Sequence, residues 1–114
     1  MITALLEMCF ANVEGGLEVD LNAIAEEDIV KILFAENPGV LVQVKEKSVF
    51  EKQMRAAGIG FARIVRPTDE RHFIVTKDDT TYHFGIDYMR DVWYKYFPFD
   101  LLSVFKQQKT ANLF

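Results

Sequence analysis

The sequence has a single cysteine, Cys9, among 114 residues. One thiol excludes an internal disulfide and any site built from several thiolates. Basic residues are outnumbered: 13 Lys and Arg against 17 Asp and Glu leave a net charge of −4. The strong positive field of a phosphate-backbone binder is therefore missing, and a nucleic acid partner is not expected. No apolar run approaches the roughly 20 residues that span a bilayer, so a membrane partner is not expected either. A signal-peptide pattern is also lacking, because no basic stretch precedes the first apolar residues and Glu7 interrupts them. These absences predict an intracellular, cytoplasmic protein. Internal repeats, low-complexity tracts and linker-like stretches are absent too.

What is present is a globular composition, 50% hydrophobic and 26% charged, at a length that suits one domain burying about two-thirds of its unfolded surface. Ile2, Leu5, Leu6, Cys9, Phe10 and Val13 recur at helical spacing. Gly15-Gly16 ends that helix. Leu17-Glu18-Val19-Asp20-Leu21 alternates with period two and predicts a strand with Leu17, Val19 and Leu21 inward. Asn22 is expected to cap a second helix carrying Ile29, Val30, Leu33 and Phe34, with Glu26, Glu27 and Asp28 in its first turns. Asn37-Pro38-Gly39 stops it. Val40 to Val44 predicts a central strand. Ser48 and Glu51 form a capping box for a third helix with Val49, Phe50, Met54 and Ala57 inward, ended by Gly58. Strands are expected over Phe61–Val65, His72–Lys77 and Thr81–Ile86, the last two joined by a turn at Asp78-Asp79-Thr80. Asp87 caps a final helix that Pro98 stops. Helices and strands are mixed, with at least one hairpin. The expected fold is therefore α+β: a ferredoxin-like sandwich with helices packed on a mainly antiparallel sheet.

Candidate chemistry is sparse. His72 and His83 fall on one predicted hairpin, but a zinc site needs a third protein ligand and none is near in sequence. Cys9 lies on an apolar stripe and reads as a buried structural thiol. Gly15-Gly16 and Gly58-Ile59-Gly60 follow helices instead of opening them, so neither makes a phosphate loop. Glu26-Glu27-Asp28 offers carboxylates for magnesium, or simply a solvated helix start. Glu36 stands at a helix end, where the dipole disfavours a carboxylate. Arg63, Arg66 and Arg71 interleave with Phe61, Phe73, Tyr82 and Phe84, yet the acidic balance argues against an RNA-binding sheet.

The order of several segments is more specific than any of these clusters. The stretch from Met1 to Ala11 resembles the helix after a Ser-Asp-Gly-Gly-type loop in the large single-chain phosphoribosylformylglycinamidine synthases, and Gly15 to Leu21 resembles the strand that follows it. Leu33-Phe34-Ala35-Glu36-Asn37-Pro38-Gly39 with Val40 to Val44 is similar to that family's LFxE…G…QV segment. Arg71 to Val75 and Asp87 to Tyr94 resemble its later hairpin and its Met-Arg-x-x-Trp helix start. The resemblance implies that residues 1–95 are part of the second synthetase-related C-terminal domain, an α+β sandwich, whereas 96–114 form a divergent tail. It implies ATP and magnesium as cofactors of the whole enzyme, with glutamine supplying ammonia that displaces phosphate from an activated amide. The other domains of such an enzyme would be the partners. The family's glycine loop, catalytic histidine and glutaminase triad have no counterpart here, so the chain by itself is expected to bind no cofactor and to catalyse nothing. Glu7 and Glu36, lying in matched segments, are the candidate ligand contacts; no catalytic or metal-binding residue is assigned.

Two other expectations follow. A domain this apolar, separated from its neighbours, should expose hydrophobic surface and form homo-oligomers. The alternative to a synthase piece is a stand-alone ferredoxin-like regulatory module that binds a small metabolite, suggested by the strand-helix-strand-strand order from Val40 to Ile86.

Overall fold

A computed structural model describes residues 1–36 and 38–96. The first apolar stripe forms α1 (Ile2–Phe10), which buries Ile2, Leu5 and Cys9. The alternating segment forms β1 (Gly16–Asp20), and Leu17, Val19 and Leu21 are all buried as their spacing predicts. β1 is central: β2 (Val65–Thr68) pairs antiparallel on one side and β3 (Phe73–Lys77) parallel on the other. β4 (Thr80–Phe84) returns antiparallel to β3, giving the sheet order β2-β1-β3-β4. With α2 (Ile29–Phe34), α3 (Lys47–Ala56) and α4 (Ile86–Tyr96), the architecture is α+β, with four helices and a mixed four-stranded sheet among the described residues. It is compatible with a ferredoxin-like sandwich.

One face of the sheet is dry. Leu17, Val19, Leu21, Phe73 and Val75 meet Ile2, Leu5 and Cys9 of α1, Leu33 of α2 and Ile86 of α4. Phe84 packs edge-on against Phe73 with centroids 5.7 Å apart, and Phe10 of α1 meets Trp93 of α4 at 6.2 Å. The other face carries Glu18, Asp20, Arg66, Ile74 and Thr76 around an open concavity.

Two long polar side chains fasten this core. Lys77 is buried, and its ammonium donates to the carbonyls of Ile24 (2.7 Å) and Leu21 (3.4 Å), holding the exit of β1 against the end of β3. Arg71 precedes β3 and donates to the carbonyls of Cys9 (3.2 Å) and Gly15 (3.1 Å) and to Asp87 Oδ1 (2.9 Å). One guanidinium thus ties the end of α1, the turn into β1 and the start of α4. Its planar fork suits three partners at once. Arg71→Ala removes the side-chain donor to the Gly15 carbonyl, one of the donors to the Cys9 carbonyl and the pairing with Asp87, and is expected to cost about 1–3 kcal/mol. Chemical denaturation checks this, and Arg71→Lys should recover only part of the loss.

Several local expectations are overturned. Asn22 caps no helix; its carboxamide oxygen accepts from the backbone N–H of Asp78 at 2.8 Å, and α2 starts later, capped by Asp28, which accepts from Val30 and Lys31. Val40 to Val44 is not a strand. Both flanks of β1 are already taken by β2 and β3, and without a ladder partner an apolar run has nothing to pair with. Only Leu41 packs on the core, while Val40, Val42 and Val44 are exposed. The strand expected at Phe61–Val65 lies instead at Val65–Thr68, where Pro67 is tolerated because β2 is an edge. Ser48 and Glu51 do not form a capping box: α3 is capped by Glu46 without a side-chain bond, and Glu51 pairs with Arg55 one turn on. α3 buries no residue, so Val49, Phe50, Met54 and Ala57 do not enter the core; Phe50 meets Phe61 instead. Gly58 does take the left-handed cap, at φ +67°. The expected tail over 96–114 lies outside the described residues, apart from Tyr96 at the end of α4.

Candidate functional site

Only one flank of α1 is used by the core. Met1, Ala4, Glu7 and Met8 face a groove of about 1080 Å³ whose other side is Lys31 and Ile32 of α2, with Ala35, Pro38, Gly39, Val40 and Leu41 beyond it. The Met1 ammonium donates to the Leu33 carbonyl at 3.1 Å and ties the start of α1 to α2. Leu41 packs on the core, and the segment leading to it from Pro38 lines the groove. Ile24 and Glu26 complete the wall. The lining is mostly apolar, with the carboxylates of Glu7 and Glu26 and the ammoniums of Met1 and Lys31.

Glu7 is exposed on α1 and lines this groove. Glu36 is exposed in the loop after α2; its neighbours Ala35 and Pro38 line the groove, but Glu36 itself does not. Glu26 is turned toward the backbone N–H of Asp28, which it accepts at 3.0 Å, and Asp28 caps α2. Two of the three carboxylates expected at a helix start therefore serve backbone donors.

A second charged cluster lies on the open face of the sheet. Glu18 accepts from the Arg66 guanidinium across the β1–β2 ladder. His72 sits 3.7 Å from Glu18 and 3.2 Å from Glu70. The Arg66 hydrogen bond holds the Glu18 carboxyl below the usual carboxylate range, and the Arg71 hydrogen bond does the same for Asp87. Carboxyls lowered in the folded state contribute stability that is complete above their unfolded value and lost as pH falls through the folded one. Stability is therefore expected to fall in acid, below about pH 4. The variant Glu18→Gln should show a shallower acid limb in urea midpoints measured from pH 2 to 7. Equal slopes would contradict the pairing.

Other sequence candidates resolve plainly. Cys9 is buried, and burial pushes its thiol up, away from nucleophilic character. His83 lies opposite Ile74 in the β3–β4 ladder, and no group of three or more metal-ligating side chains exists among the described residues. In the aromatic row Phe73 is fully buried while Phe61 and Tyr82 are exposed, and Arg71 pairs with Asp87. The described residues do not fit a magnesium–nucleotide site: the donor set is missing, and no glycine-rich turn opens a helix. No helix among the described residues is long and apolar enough to cross a membrane. Arg71 and Lys77 were missed as organising residues by sequence reasoning; a basic residue flanking or ending a buried strand was the available signal.

The chain is 39% identical over 61 residues to phosphoribosylformylglycinamidine synthase of Homo sapiens. The matched stretch is 52% of this chain but spans only 4% of the human protein's length. No family model matches the chain. No solved structure matches it.

Proposed function

We propose that this chain is a piece of the second synthetase-related C-terminal domain of a phosphoribosylformylglycinamidine synthase. That enzyme is the ligase that uses ATP and glutamine to convert formylglycinamide ribonucleotide to the amidine in purine biosynthesis. The observation that carries the reading is the 39% identity to the human enzyme over 61 residues. The α+β fold is of the kind the resemblance implies, and the apolar exposure of Val40, Val42, Val44 and Phe34 suits a surface shaped to meet other domains. The role of this piece is architectural, in the cytoplasm. The groove flank of α1, with Glu7, and the loop with Glu36 are the parts that present carboxylates toward a ligand held mainly by neighbouring domains. ATP and magnesium belong to the whole enzyme.

The experiment is direct. The isolated chain, given formylglycinamide ribonucleotide, ATP, magnesium and either glutamine or ammonia, is expected to release no ADP, while human synthase under the same conditions does. ADP release by the chain alone that depends on formylglycinamide ribonucleotide would overturn the reading. The regulatory-module alternative loses the feature that suggested it, because the first strand of its strand-helix-strand-strand unit does not form. Strong thermal stabilisation by a single amino acid, with no effect of nucleotides, would revive it.

A further inference from the structure

The two edges of the sheet are not alike. Leu17 in β1 and Leu21 just after it donate to the carbonyls of His72 and Thr76. The even-numbered residues of β3 therefore face β1, and Phe73, Val75 and Lys77 face β4. Their partners Phe84, Tyr82 and Thr80 are turned inward, and the N–H and C=O groups of Thr81 and His83 point away from the sheet. Among the described residues nothing bonds to these four groups. At the other edge Pro67 stands opposite Leu17, in an outward position, and has no N–H to offer. Proline there closes β2 to further pairing, whereas Thr80–Phe84 carries no proline, no ionised side chain and no bulge.

We propose that β4 pairs antiparallel with β4 of a second copy about a two-fold axis through Tyr82, joining the two four-stranded sheets edge to edge. Nothing in this pairing depends on the synthase reading. Three features single out a second copy. First, the open edge is self-complementary. Thr81 lies opposite His83 of the second copy, and all four outward groups of each strand find partners. Second, Tyr82 meets Tyr82 of the second copy across the axis as a non-hydrogen-bonded pair, where side chains come closest. Tyr82 shares a sheet face with the buried Val75 yet is 41% exposed, so pairing covers an aromatic ring that the core leaves open. Third, charge agrees. Over Asp79–Gly85 no ionised side chain stands opposite a like one. Asp79 is set beside Gly85 of the second copy, at the first turn of its α4, where free N–H groups favour a carboxylate and Arg71 already pairs with Asp87. A strand pair this short buries less than the roughly 1,200 Å² of a standard interface, so the dimer is reversible and populated at high micromolar concentration.

Sedimentation equilibrium of the full chain and disulfide trapping test this. The weight-average mass is expected to rise with concentration from 13.2 kDa toward twice that value. Thr81→Pro removes one outward N–H and leaves the β3–β4 ladder intact. Tyr82→Glu sets two like charges together on the axis. Each should raise the dimer dissociation constant at least tenfold while circular dichroism stays native. Disulfides read the register. Across the axis the two Tyr82 Cα atoms would stand roughly 4.5 Å apart, within disulfide range, and the two Thr80 Cα atoms roughly 14 Å apart, beyond it. Cys9 is buried, so Tyr82→Cys should give at least ten times more disulfide-linked dimer than Thr80→Cys under mild oxidation. A chain that stays monomeric at every concentration would overturn the proposal. An unchanged dissociation constant in a folded Tyr82→Glu protein would do so too, as would equal disulfide yields at the two positions. A dimer lost in Val42→Lys but kept in Thr81→Pro and Tyr82→Glu would place the contact on the exposed Val40–Val44 run and equally overturn it.

Discussion

Replacing Gly16 by alanine is expected to abolish the native fold. A Cβ at this position would overlap the His72 carbonyl oxygen and lie 2.6 Å from both the Glu70 oxygen and the His72 nitrogen. All three are backbone atoms, so no side chain can swing aside. Relief requires β1 to separate from the loop before β3. That breaks the 2.8 Å bond from Leu17 N–H to the His72 carbonyl and starts to open the central parallel pair. The cost should exceed about 4 kcal/mol, beyond the ordinary range for single substitutions. It is a large part of the roughly 5–15 kcal/mol that holds a domain together. Circular dichroism and urea titration provide the measurement. Gly60→Ala, where a Cβ meets nothing within 4 Å, is the control and should keep the native fold. A Gly16→Ala protein within about 1 kcal/mol of the parent would refute the close approach.

Phe73→Ala should come next, at about 3–5 kcal/mol. Phe73 is fully buried on a central strand, opposite Leu17 in the parallel register and edge-on to Phe84. Truncation leaves a ring-sized void among residues held on both sides by ladders, which limits collapse around it. Phe61→Ala makes the contrast. Phe61 is 38% exposed and touches Phe50 of α3, a helix that buries nothing. Its loss should cost about 1 kcal/mol, the usual cost of a single substitution. If the two variants lost equal stability by urea titration, the assignment of the core to the β1–β3 face would be wrong.

The sequence pattern was most informative where one face alone had to be buried. Leu17, Val19 and Leu21 alternate because β1 has a dry face and a wet one, and α1 shows its stripe for the same reason. The β3–β4 hairpin was legible from its turn, where Asp78 takes φ +51°. Val40 to Val44 misled because apolar composition records an appetite for burial, not the presence of a ladder partner. The register of β2 was hidden for a related reason: Pro67 reads as a strand end unless the strand is known to be an edge. The helix start at Asn22 failed because a competing residue stood nearby. Asp28 captured two N–H groups, and Asn22 was drawn to the hairpin.

The candidate site was legible only in part. Glu7 lies on a real groove, whereas Glu36 stands beside it. Periodicity along α1 identifies the buried stripe but says nothing about what the opposite flank meets. The residues that organise the fold from a distance, Arg71 and Lys77, act through backbone carbonyls 53 to 62 positions away. Such contacts leave no local pattern in the sequence.

One exchange measures the relation to the purine enzyme most directly. The 61 residues of human phosphoribosylformylglycinamidine synthase that match this chain would be replaced by their counterparts from it. The chimera is expected to fold and to form the amidine product from glutamine and ATP at a readily detectable rate. A chimera with native-like circular dichroism and thermal unfolding that formed no product would contradict the proposal that these residues do the same work in both proteins.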